Sequence, residues 1–433
     1  MIQTYFRLKN HNTTIRQEVL AGVTTFVTMA YIIVVNPKIL EAAGMPFGPS
    51  MVATILTAFL GTLLMGVYAK RPFAIAPYMG ENAFVAFTVV KVMGFSWQQA
   101  LGAIFVSGAI FAVLTVLNIR TWLVNSIPEK LKVAFSVGIG LFLTFIGLNE
   151  TGIVKLGVPG APVHVGNFTD TTVLLAVFGF LFTGWLMVKR VHASLFIGIA
   201  AVTLLAMVFG KVHPPDSLAS LPPSIVPVLG KMEFSGLVSV KAFPVILVMF
   251  VMIFVDTMGT LIGLSMKAGL LDGKGNLPEI EKPMLCDSLA TMAGAALGTT
   301  TSGAYIESAA GIEAGGRSGL SSVVTAGLFL LALFFAPLFT IVPPYAYGPV
   351  LIIVGMLMLS PMKHLDYSDL TEVIPSFTVI VLMSFTYNVG IGMCAGFVVY
   401  PVIKLVSGRI REVSAGLWVL SGLSLLFFVL YPY

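Results

Sequence analysis

The sequence predicts an all-α polytopic membrane protein of about 14 transmembrane segments, arranged as two inverted repeats of seven, with short extended strands in broken segments 3 and 10. Three observations predict this fold: the composition, the number of apolar runs and a polar break near the middle of the chain. Hydrophobic residues make up 57% of the 433 residues and charged residues only 10%, and the mean hydropathy is +0.98. Soluble domains carry about 25% charged residues, so we expect almost the whole chain to lie in a membrane.

Apolar runs recur from end to end, and most are long enough to cross a hydrocarbon core of roughly 30 Å as a helix. Seven runs precede the break and seven follow it. Predicted segments 1–7 lie near residues 17–37, 50–69, 73–92, 100–118, 133–148, 171–188 and 193–210. Predicted segments 8–14 lie near residues 242–266, 284–299, 300–316, 318–341, 345–360, 373–387 and 389–406. A further run at 415–432 is left over, and it either crosses the membrane or lies at its surface.

The break, residues 211–236, is polar and rich in proline. If the N-terminus is cytoplasmic, most lysines and arginines of the first half fall on cytoplasmic loops, as the positive-inside bias requires. Seven spans then leave the break outside, so that the second half enters from the opposite face. Two basic clusters of the second half then also fall inside, namely Lys267, Lys274 and Lys282, and Lys404, Arg409 and Arg411. The sequence thus predicts a multi-pass protein of the cytoplasmic membrane with a cytoplasmic N-terminus.

The composition also disfavours several classes of function. The formal net charge of +5 is spread over loops, so no nucleic-acid partner is expected. Cys286 and Cys394 stand alone in apolar stretches, which predicts no disulfide, metal or cofactor site. An integral-membrane enzyme is disfavoured because the chain carries no motif for a nucleophile, a metal cluster or a nucleotide loop. A channel is disfavoured because opposed broken helices that carry acids make a closed site better than a continuous pore.

Segment 3 is predicted to be broken. Pro72 and Pro77 bracket the residues FAIA, and proline both removes a backbone donor and biases its predecessor away from the helix. We therefore expect an extended strand, then a helix that starts near Tyr78 and has Glu81 in its first turn. The unpaired N–H groups of that turn lower the cost of a buried carboxylate. Two roles stay open for Glu81: contact with substrate, or capping of its own helix with Asn82 or a hydroxyl as partner.

Segment 10 repeats this plan. The run Thr299–Thr301 precedes Ser302 and Gly303, and a helix is expected from near Tyr305 with Glu307 in its first turn. In inverted repeats the two strands would pair and bring both helix starts together near the membrane midplane. Extended backbone at that depth is tolerated only where it is buried in protein or lines a cavity, so we expect a substrate site there.

Ionisable side chains inside a bilayer cost at least about 2.5 kcal/mol and indicate functional sites. Four acids are selected as candidates on this ground, namely Glu81, Asp256, Glu307 and Glu313. We favour function for Asp256 and Glu307, whereas Glu313 is expected to form a helix-end ion pair with Arg317, four residues on. Thr260 shares the helix face of Asp256 at the i+4 position.

Segment 1 is the counterpart of segment 8 in the first half. It contains no acid, but it carries hydroxyl side chains at Thr24, Thr25, Thr28 and Tyr31. We therefore expect an asymmetric site, in which the acids come mostly from one half of the chain and the hydroxyls from the other.

Several stretches carry a family resemblance: APYMGENAFVAFTVV (76–90), FVDTMGTLIG (254–263) and TTTSGAYIESAAGIEAGGRSGLSSV (299–323). With EVLAGVTTFVTMAYIIVVNPKIL and GPVLIIVGMLM, they cover nearly the whole chain in order. The chain resembles the nucleobase:cation symporters of the xanthine/uracil permease group, and within it the adenine/guanine/hypoxanthine permease branch.

The resemblance implies a core domain of segments 1–4 and 8–11, which carries the substrate, and a gate domain of segments 5–7 and 12–14. The implied ranges are 1–118 and 242–341 for the core, 119–210 and 342–433 for the gate, and 211–241 for an extracytoplasmic linker. The gate domain is often the dimer contact in this group, so a homodimer is a further expectation.

The resemblance also implies that Asp256 and Glu307 bind the edge of a nucleobase and that uptake is coupled to protons. Thr260 stands where related uracil carriers have a histidine, which leaves Asp256 or Glu307 to carry the coupling proton. The candidate substrate-binding residues are Asp256, Glu307, Glu81, Tyr78, Ile306, Thr25 and Thr260. The expected function is proton-coupled transport of purine nucleobases, and the alternatives are a uracil or xanthine permease or an anion carrier of the same fold.

Overall fold

A computed structural model of the chain describes residues 2–117, 126–158, 161–215, 217–237, 242–272, 277–364, 368–386 and 388–430. The predicted domain boundary at 118/119, Lys274, residues 238–241 of the linker and residues 431–432 of the last apolar run lie outside the described residues. Within the described residues, nine helices are long and apolar enough to span a membrane, which confirms a multi-pass membrane protein.

The first repeat begins with a segment made of two helices and contains one broken segment. Its segments are Ile15–Met29 with Ile32–Glu41 (segment 1), Phe47–Leu64 with the π-helical turn Met65–Ala69 (2), strand Ile75–Pro77 with helix Met79–Ala83 and the π-helical stretch Phe84–Val92 (3), Trp97–Val116 (4), Glu129–Glu150 (5), Thr171–Val188 (6) and Ser194–Val208 (7). A short helix, Ile2–Tyr5, precedes them, and a hairpin of strands Val154–Val158 and Ala161–Val165 joins segments 5 and 6. The sequence analysis did not predict this hairpin.

The second repeat follows the same plan. Its segments are Phe243–Ala268 (8), Glu281–Leu297 (9), strand Ser302–Ala304 with helix Ser308–Glu313 (10), Gly319–Ala332 continued by the 3₁₀ turn Leu333–Phe335 and helix Ala336–Thr340 (11), Pro344–Leu357 (12), Leu370–Phe385 (13) and Val389–Val406 (14). Two 3₁₀ turns, Ser360–His364 and Ile410–Glu412, lie between helices, and a last helix, Ala415–Leu430, packs on segments 14 and 8.

The two broken segments pair across the repeats, as the sequence predicts. Their strands are antiparallel, with Ile75 opposite Ala304, Ala76 opposite Gly303 and Pro77 opposite Ser302. One more backbone bond extends the pair at each end. Tyr78 N–H donates to the Thr301 carbonyl and Tyr305 N–H donates to the Ala74 carbonyl, each at 2.9 Å. The bonds on the two sides correspond, so an approximate twofold axis passes between Ala76 and Gly303.

A threonine on the preceding segment satisfies the outer edge of each strand. The Thr62 hydroxyl donates to the Ile75 carbonyl at 3.0 Å and accepts from the Ile75 N–H at 2.8 Å. The Thr291 hydroxyl makes the same two bonds with Ser302, at 2.8 and 3.0 Å. Backbone groups at membrane depth must be paired within the protein. These two side chains therefore allow a two-stranded sheet to lie inside a helical protein.

Segments 5 and 12 approach each other closely through glycine. A Cβ atom on Gly140 would lie 2.6 Å from the Gly355 carbonyl oxygen, and one on Gly147 would lie 2.7 Å from the Gly348 carbonyl oxygen. Segment 5 also packs on segment 13, and segment 12 on segment 6. The packing thus repeats between the two halves. The division into core and gate domains stays a prediction.

Candidate substrate site

Glu81 lies in the first turn of the segment 3 helix, as predicted, and is fully buried. Tyr78 is the extended residue that precedes this helix, with φ −70° and ψ 134°. The carboxyl group of Asp256, on segment 8, lies within hydrogen-bond reach of the Glu81 carboxyl group. Among the described residues, no hydroxyl, amide or basic side chain donates to either oxygen of Glu81. A hydrogen bond between two carboxyl groups requires that they share a proton.

The expectation that Asn82 or a hydroxyl bonds to the Glu81 carboxyl group is therefore wrong. The Asn82 amide donates instead to the Asn36 side-chain oxygen at 2.6 Å. Asn36 in turn donates to the hydroxyls of Thr54, at 2.7 Å, and Thr299, at 2.8 Å. This buried network ties segment 3 to segments 1 and 2 and to the start of segment 10. It gives the Asn82 side-chain nitrogen a partner, whereas the Asn82 side-chain oxygen has none among the described residues, and it leaves Glu81 to face Asp256.

The helix of segment 10 begins at Ser308, so Glu307 is its N-cap and not, as predicted, a residue of its first turn. The reason is a turn over residues 305–309, in which the Ser308 N–H donates to the Tyr305 carbonyl at 3.0 Å. Glu307 is partly exposed, and its Oε1 accepts a 2.5 Å hydrogen bond from the hydroxyl of Tyr31. Tyr31 is fully buried at the junction between the two helices of segment 1.

The two glutamates are not equivalent under the twofold axis. Ser308 stands three residues after Tyr305, as Glu81 stands three residues after Tyr78, and the Ser308 hydroxyl accepts the Ala74 N–H at 2.9 Å. The two contacts made by these acids nevertheless join corresponding pairs of segments. Segment 3 contacts segment 8 through two carboxyl groups, and segment 10 contacts segment 1 through a carboxyl and a phenol. The predicted asymmetry of acids and hydroxyls thus appears within these two contacts.

Tyr78 and Tyr305 cover the strand pair. Their rings are stacked, with centroids 6.3 Å apart and planes 11° from parallel. The Tyr305 hydroxyl donates to the Pro77 carbonyl at 2.6 Å, and the Tyr78 hydroxyl lies 3.3 Å from that of Thr257. A side chain at Gly303 would collide with the Tyr78 ring. Both tyrosines are buried, so Tyr78 supports the site from behind the strands.

Asp287, on segment 9, is a residue that the sequence analysis missed. It is fully buried, its Oδ2 accepts the Ala304 N–H at 3.1 Å, and it also lies within hydrogen-bond reach of the Thr257 hydroxyl. Asp287 therefore joins the segment 10 strand to the residue that follows Asp256. The criterion that singled out the other acids, an ionisable side chain inside a predicted span, applies to it equally.

Two further acids have partners that the sequence did not predict. Glu313 forms an ion pair with Lys267, at 2.5 Å, and the expected pair with Arg317 is wrong. The Arg317 side chain, which follows the segment 10 helix, donates instead to the backbone carbonyls of Ile312 and Gly316. Glu18 is fully buried and accepts three backbone N–H groups at the start of segment 11, from Arg317, Ser318 and Ser321. These N–H groups have no partner within their helix, which explains the buried carboxylate.

One side of segment 8 is accessible over the turns that follow Asp256. Residues 248–254 are buried, whereas the helix face that carries Asp256 is partly exposed from there to the exposed Lys267. Ile306 is 56% exposed and faces this side of segment 8. We name this opening the site cleft, and its lining residues are Asp256, Gly259, Thr260 and Gly263 on segment 8 and Ile306 and Glu307 on segment 10.

Thr25 lies outside the site cleft. It is buried on segment 1, where its side chain packs against Gly311 of the segment 10 helix. Of the predicted site residues, the structure thus brings Asp256, Thr260, Ile306 and Glu307 to one opening, with Glu81 directly behind Asp256. Among the described residues, no three His, Cys, Asp or Glu side chains are grouped as metal ligands would be.

Known proteins resemble this chain both in sequence and in fold. A model described as the permease family matches residues 16–399. Adenine permease AdeP of Escherichia coli (strain K12) is 41% identical over 96% of this chain and 93% of that protein. Guanine/hypoxanthine permease PbuG of Bacillus subtilis (strain 168) is 39% identical over 99% of both chains.

Solved structures share the fold at low identity. The transmembrane domain of the cyanobacterium bicarbonate transporter BicA has a TM-score of 0.66 and 15% identity, over 88% of this chain and 97% of that one. The murine anion transporter Slc26a9, in an inward-facing state, has a TM-score of 0.64 and 11% identity, over 90% of this chain and 68% of that one. These proteins have a fold of two inverted repeats of seven segments, which confirms the predicted fold class.

Proposed function

The chain belongs to the permease family, and from that premise we propose that it is a secondary active transporter that carries purine nucleobases across the cytoplasmic membrane by proton symport. Full-length similarity to adenine and guanine/hypoxanthine permeases supports the substrate class. One structural observation carries the proposal: Asp256 and Glu307 are both partly exposed, on segments 8 and 10, and these segments pack against each other beside the paired strands of the broken segments.

The chemistry of the site cleft suits a purine. A nucleobase presents ring and exocyclic N–H donors along its edge, and carboxylates only accept hydrogen bonds. Tyr31 donates to only one of the two carboxyl oxygens of Glu307, Oε1, so the other oxygen can accept from a ligand. Asp256 is partly exposed at the cleft and contacts the buried Glu81. Ile306 supplies an apolar surface for the face of the ring. An anion carrier would need basic groups here, and both helix starts carry acids instead.

The pair of Glu81 and Asp256 supplies a place for the coupled proton. Two adjacent carboxyl groups are not ionised together at low cost, so one proton stays with the pair while Asp256 presents acceptor oxygens to substrate. Glu81 is fully buried and Asp256 lies at the cleft. Proton exchange with the aqueous side therefore takes place through Asp256, or through Glu307, which is also partly exposed.

The orientation in the membrane follows from the charge bias. With a cytoplasmic N-terminus, segment 8 ends at the cytoplasmic face, and the site cleft opens towards that end. The conformation is then open to the cytoplasm. We propose that segments 1–4 and 8–11 move as the core domain against segments 5–7 and 12–14, and that a homodimer forms through this gate domain.

The decisive experiment is transport by the purified protein in liposomes. Uptake of labelled adenine, guanine, hypoxanthine, xanthine and uracil is measured with and without an imposed pH gradient, and with a protonophore. We expect adenine, guanine and hypoxanthine to accumulate, and only with the gradient. Accumulation of uracil or xanthine alone would show that the proposed substrate is wrong. Uptake that does not depend on the gradient would show that transport is not coupled to protons.

Variants of the two carboxyl groups at the cleft test the site itself. Asp256→Asn and Glu307→Gln remove an acceptor charge while nearly conserving shape, and we expect each to abolish uptake. Glu129→Gln makes the same chemical change at an exposed position at the start of segment 5 and serves as the control. Normal transport by either site variant would remove that residue from the site.

A further inference from the structure

Gly259 has no structural reason to be glycine. It lies inside the regular helix of segment 8, where glycine costs about 1 kcal/mol relative to alanine. Its φ angle is not positive. A Cβ atom added to Gly259 would meet nothing within 4 Å among the described residues. Helix glycines such as Gly61 and Gly140, by contrast, are in close contact with a neighbouring segment, as an added Cβ shows.

Gly259 lies in the middle of the site cleft. It is exposed, and it shares a helix face with Asp256, three residues before it, and with Gly263, four residues after it. The cleft is bounded by Asp256 at one end. At the other end, the Cδ1 atom of Ile306 lies 3.9 Å from the position of a Cβ atom on Gly263. Seven residues of helix separate Asp256 from Gly263, about 10 Å at 1.5 Å per residue.

We propose that Gly259 determines the ring size of the substrate. This rests on the proposed function, in which the N–H edge of a nucleobase meets Asp256 and Glu307. The second ring of a purine then lies over the bare backbone at Gly259, between Asp256 and the Ile306 side chain. A side chain at position 259 occupies the space of that second ring and leaves room for a single ring only.

The test compares two-ring and one-ring ligands that carry the same N–H edge. Adenine is paired with 4-aminopyrimidine, and hypoxanthine with pyrimidin-4-one. Binding is measured by competition against labelled purine for wild-type protein and by ligand-induced thermal stabilisation for all variants. The variants are Gly259→Ala and Gly259→Leu, and both residues are better helix formers than glycine. The matched controls are the same changes at Gly327, an exposed glycine of segment 11 whose added Cβ also meets open space.

We expect Gly259→Leu to weaken the binding of both purines by about tenfold or more, the usual scale for filling a pocket, with little change for the one-ring ligands. Gly259→Ala should lower the affinity for purines relative to that for one-ring ligands by a smaller factor. Neither Gly327 variant should change this ratio of affinities. An equal loss for both ring sizes, or retained purine binding in Gly259→Leu, would overturn the inference. Wild-type protein that binds no purine would instead overturn the proposed function on which it rests.

Discussion

The hydroxyl of Tyr31 donates a 2.5 Å hydrogen bond to Oε1 of Glu307, across 276 positions of sequence. It joins the junction between the two helices of segment 1 to the N-cap of the segment 10 helix. The contact between Asp256 and Glu81 joins segment 8 to segment 3 in the corresponding way. Each broken segment is thus tied to the first segment of the other repeat, and the proposed function places the substrate beside both contacts.

Replacement of Tyr31 by phenylalanine removes the donor to Glu307 and keeps the ring. A hydrogen bond to a charged group is worth about 1.5 to 3 kcal/mol, and we expect a raised KM for purine uptake because Glu307 loses its fixed orientation. Tyr347→Phe is the control, since the Tyr347 hydroxyl donates to Glu150 at 2.8 Å away from the cleft. A raised KM in the control alone would contradict the role of Tyr31.

Glu81→Gln and Asp256→Asn should separate proton coupling from binding. In Glu81→Gln an amide N–H replaces the shared proton, so Asp256 keeps a hydrogen bond and still accepts from substrate. We expect this variant to exchange labelled for unlabelled purine but to lose accumulation driven by a pH gradient. Asp256→Asn should lose both activities. Gradient-driven accumulation by Glu81→Gln would show that the coupling proton lies elsewhere.

Asp287 is expected to position the segment 10 strand. In Asp287→Ala the Ala304 N–H loses its acceptor, and a buried unpaired group costs about 1 to 3 kcal/mol. We predict a lower unfolding temperature and a raised KM. Asp287→Asn keeps an oxygen for the Ala304 N–H and should recover a large part of both. If Asp287→Asn is as damaged as Asp287→Ala, the negative charge itself is required.

The ion pair of Lys267 and Glu313 lies at the outer end of the site cleft. The Arg190 guanidinium and the His192 side chain, on the turn between segments 6 and 7, lie near Glu313. Exposed pairs contribute at most about 1 kcal/mol to stability, so a change there should act on transport and not on folding. Glu313→Lys should slow uptake by repelling these groups.

The double variant Glu313→Lys with Lys267→Glu restores the pair in reverse, and partial recovery of the uptake rate is expected. The unfolding temperature should stay the same in all three proteins. Full activity of the single variant would show that this pair does not take part in transport.

The loop before segment 13 has a pH dependence of its own. Hydrogen bonds from Thr371 and Arg409 hold the pKa of the Asp369 carboxyl well below its usual range. A lowered pKa in the folded state means that the stabilisation is present above about pH 4, the ordinary value, and is lost as the pH falls below it. Arg409→Ala should lower the unfolding temperature at pH 7, and the difference from wild type should shrink at pH 3. A constant difference would exclude this linkage.

Local chemistry made several features predictable. Pro72 and Pro77 cannot continue a helix, so the break in segment 3 and the strand within it follow from the residues themselves. The count of seven apolar runs on each side of a polar linker predicts the inverted repeats. Each of these features depends on residues that are close together in the chain.

The amino-acid sequence by itself determined that the chain is a membrane protein of two inverted repeats, with broken segments that carry buried acids. The tertiary structure alone decided the partners of those acids: Asp256 for Glu81, Tyr31 for Glu307, Lys267 for Glu313 and the Ala304 N–H for Asp287. The physical reason is that a polar group inside a bilayer must find its partner in the protein. All four partners lie on other segments, and two of the four pairs join one repeat to the other, so the packing of the segments selects them.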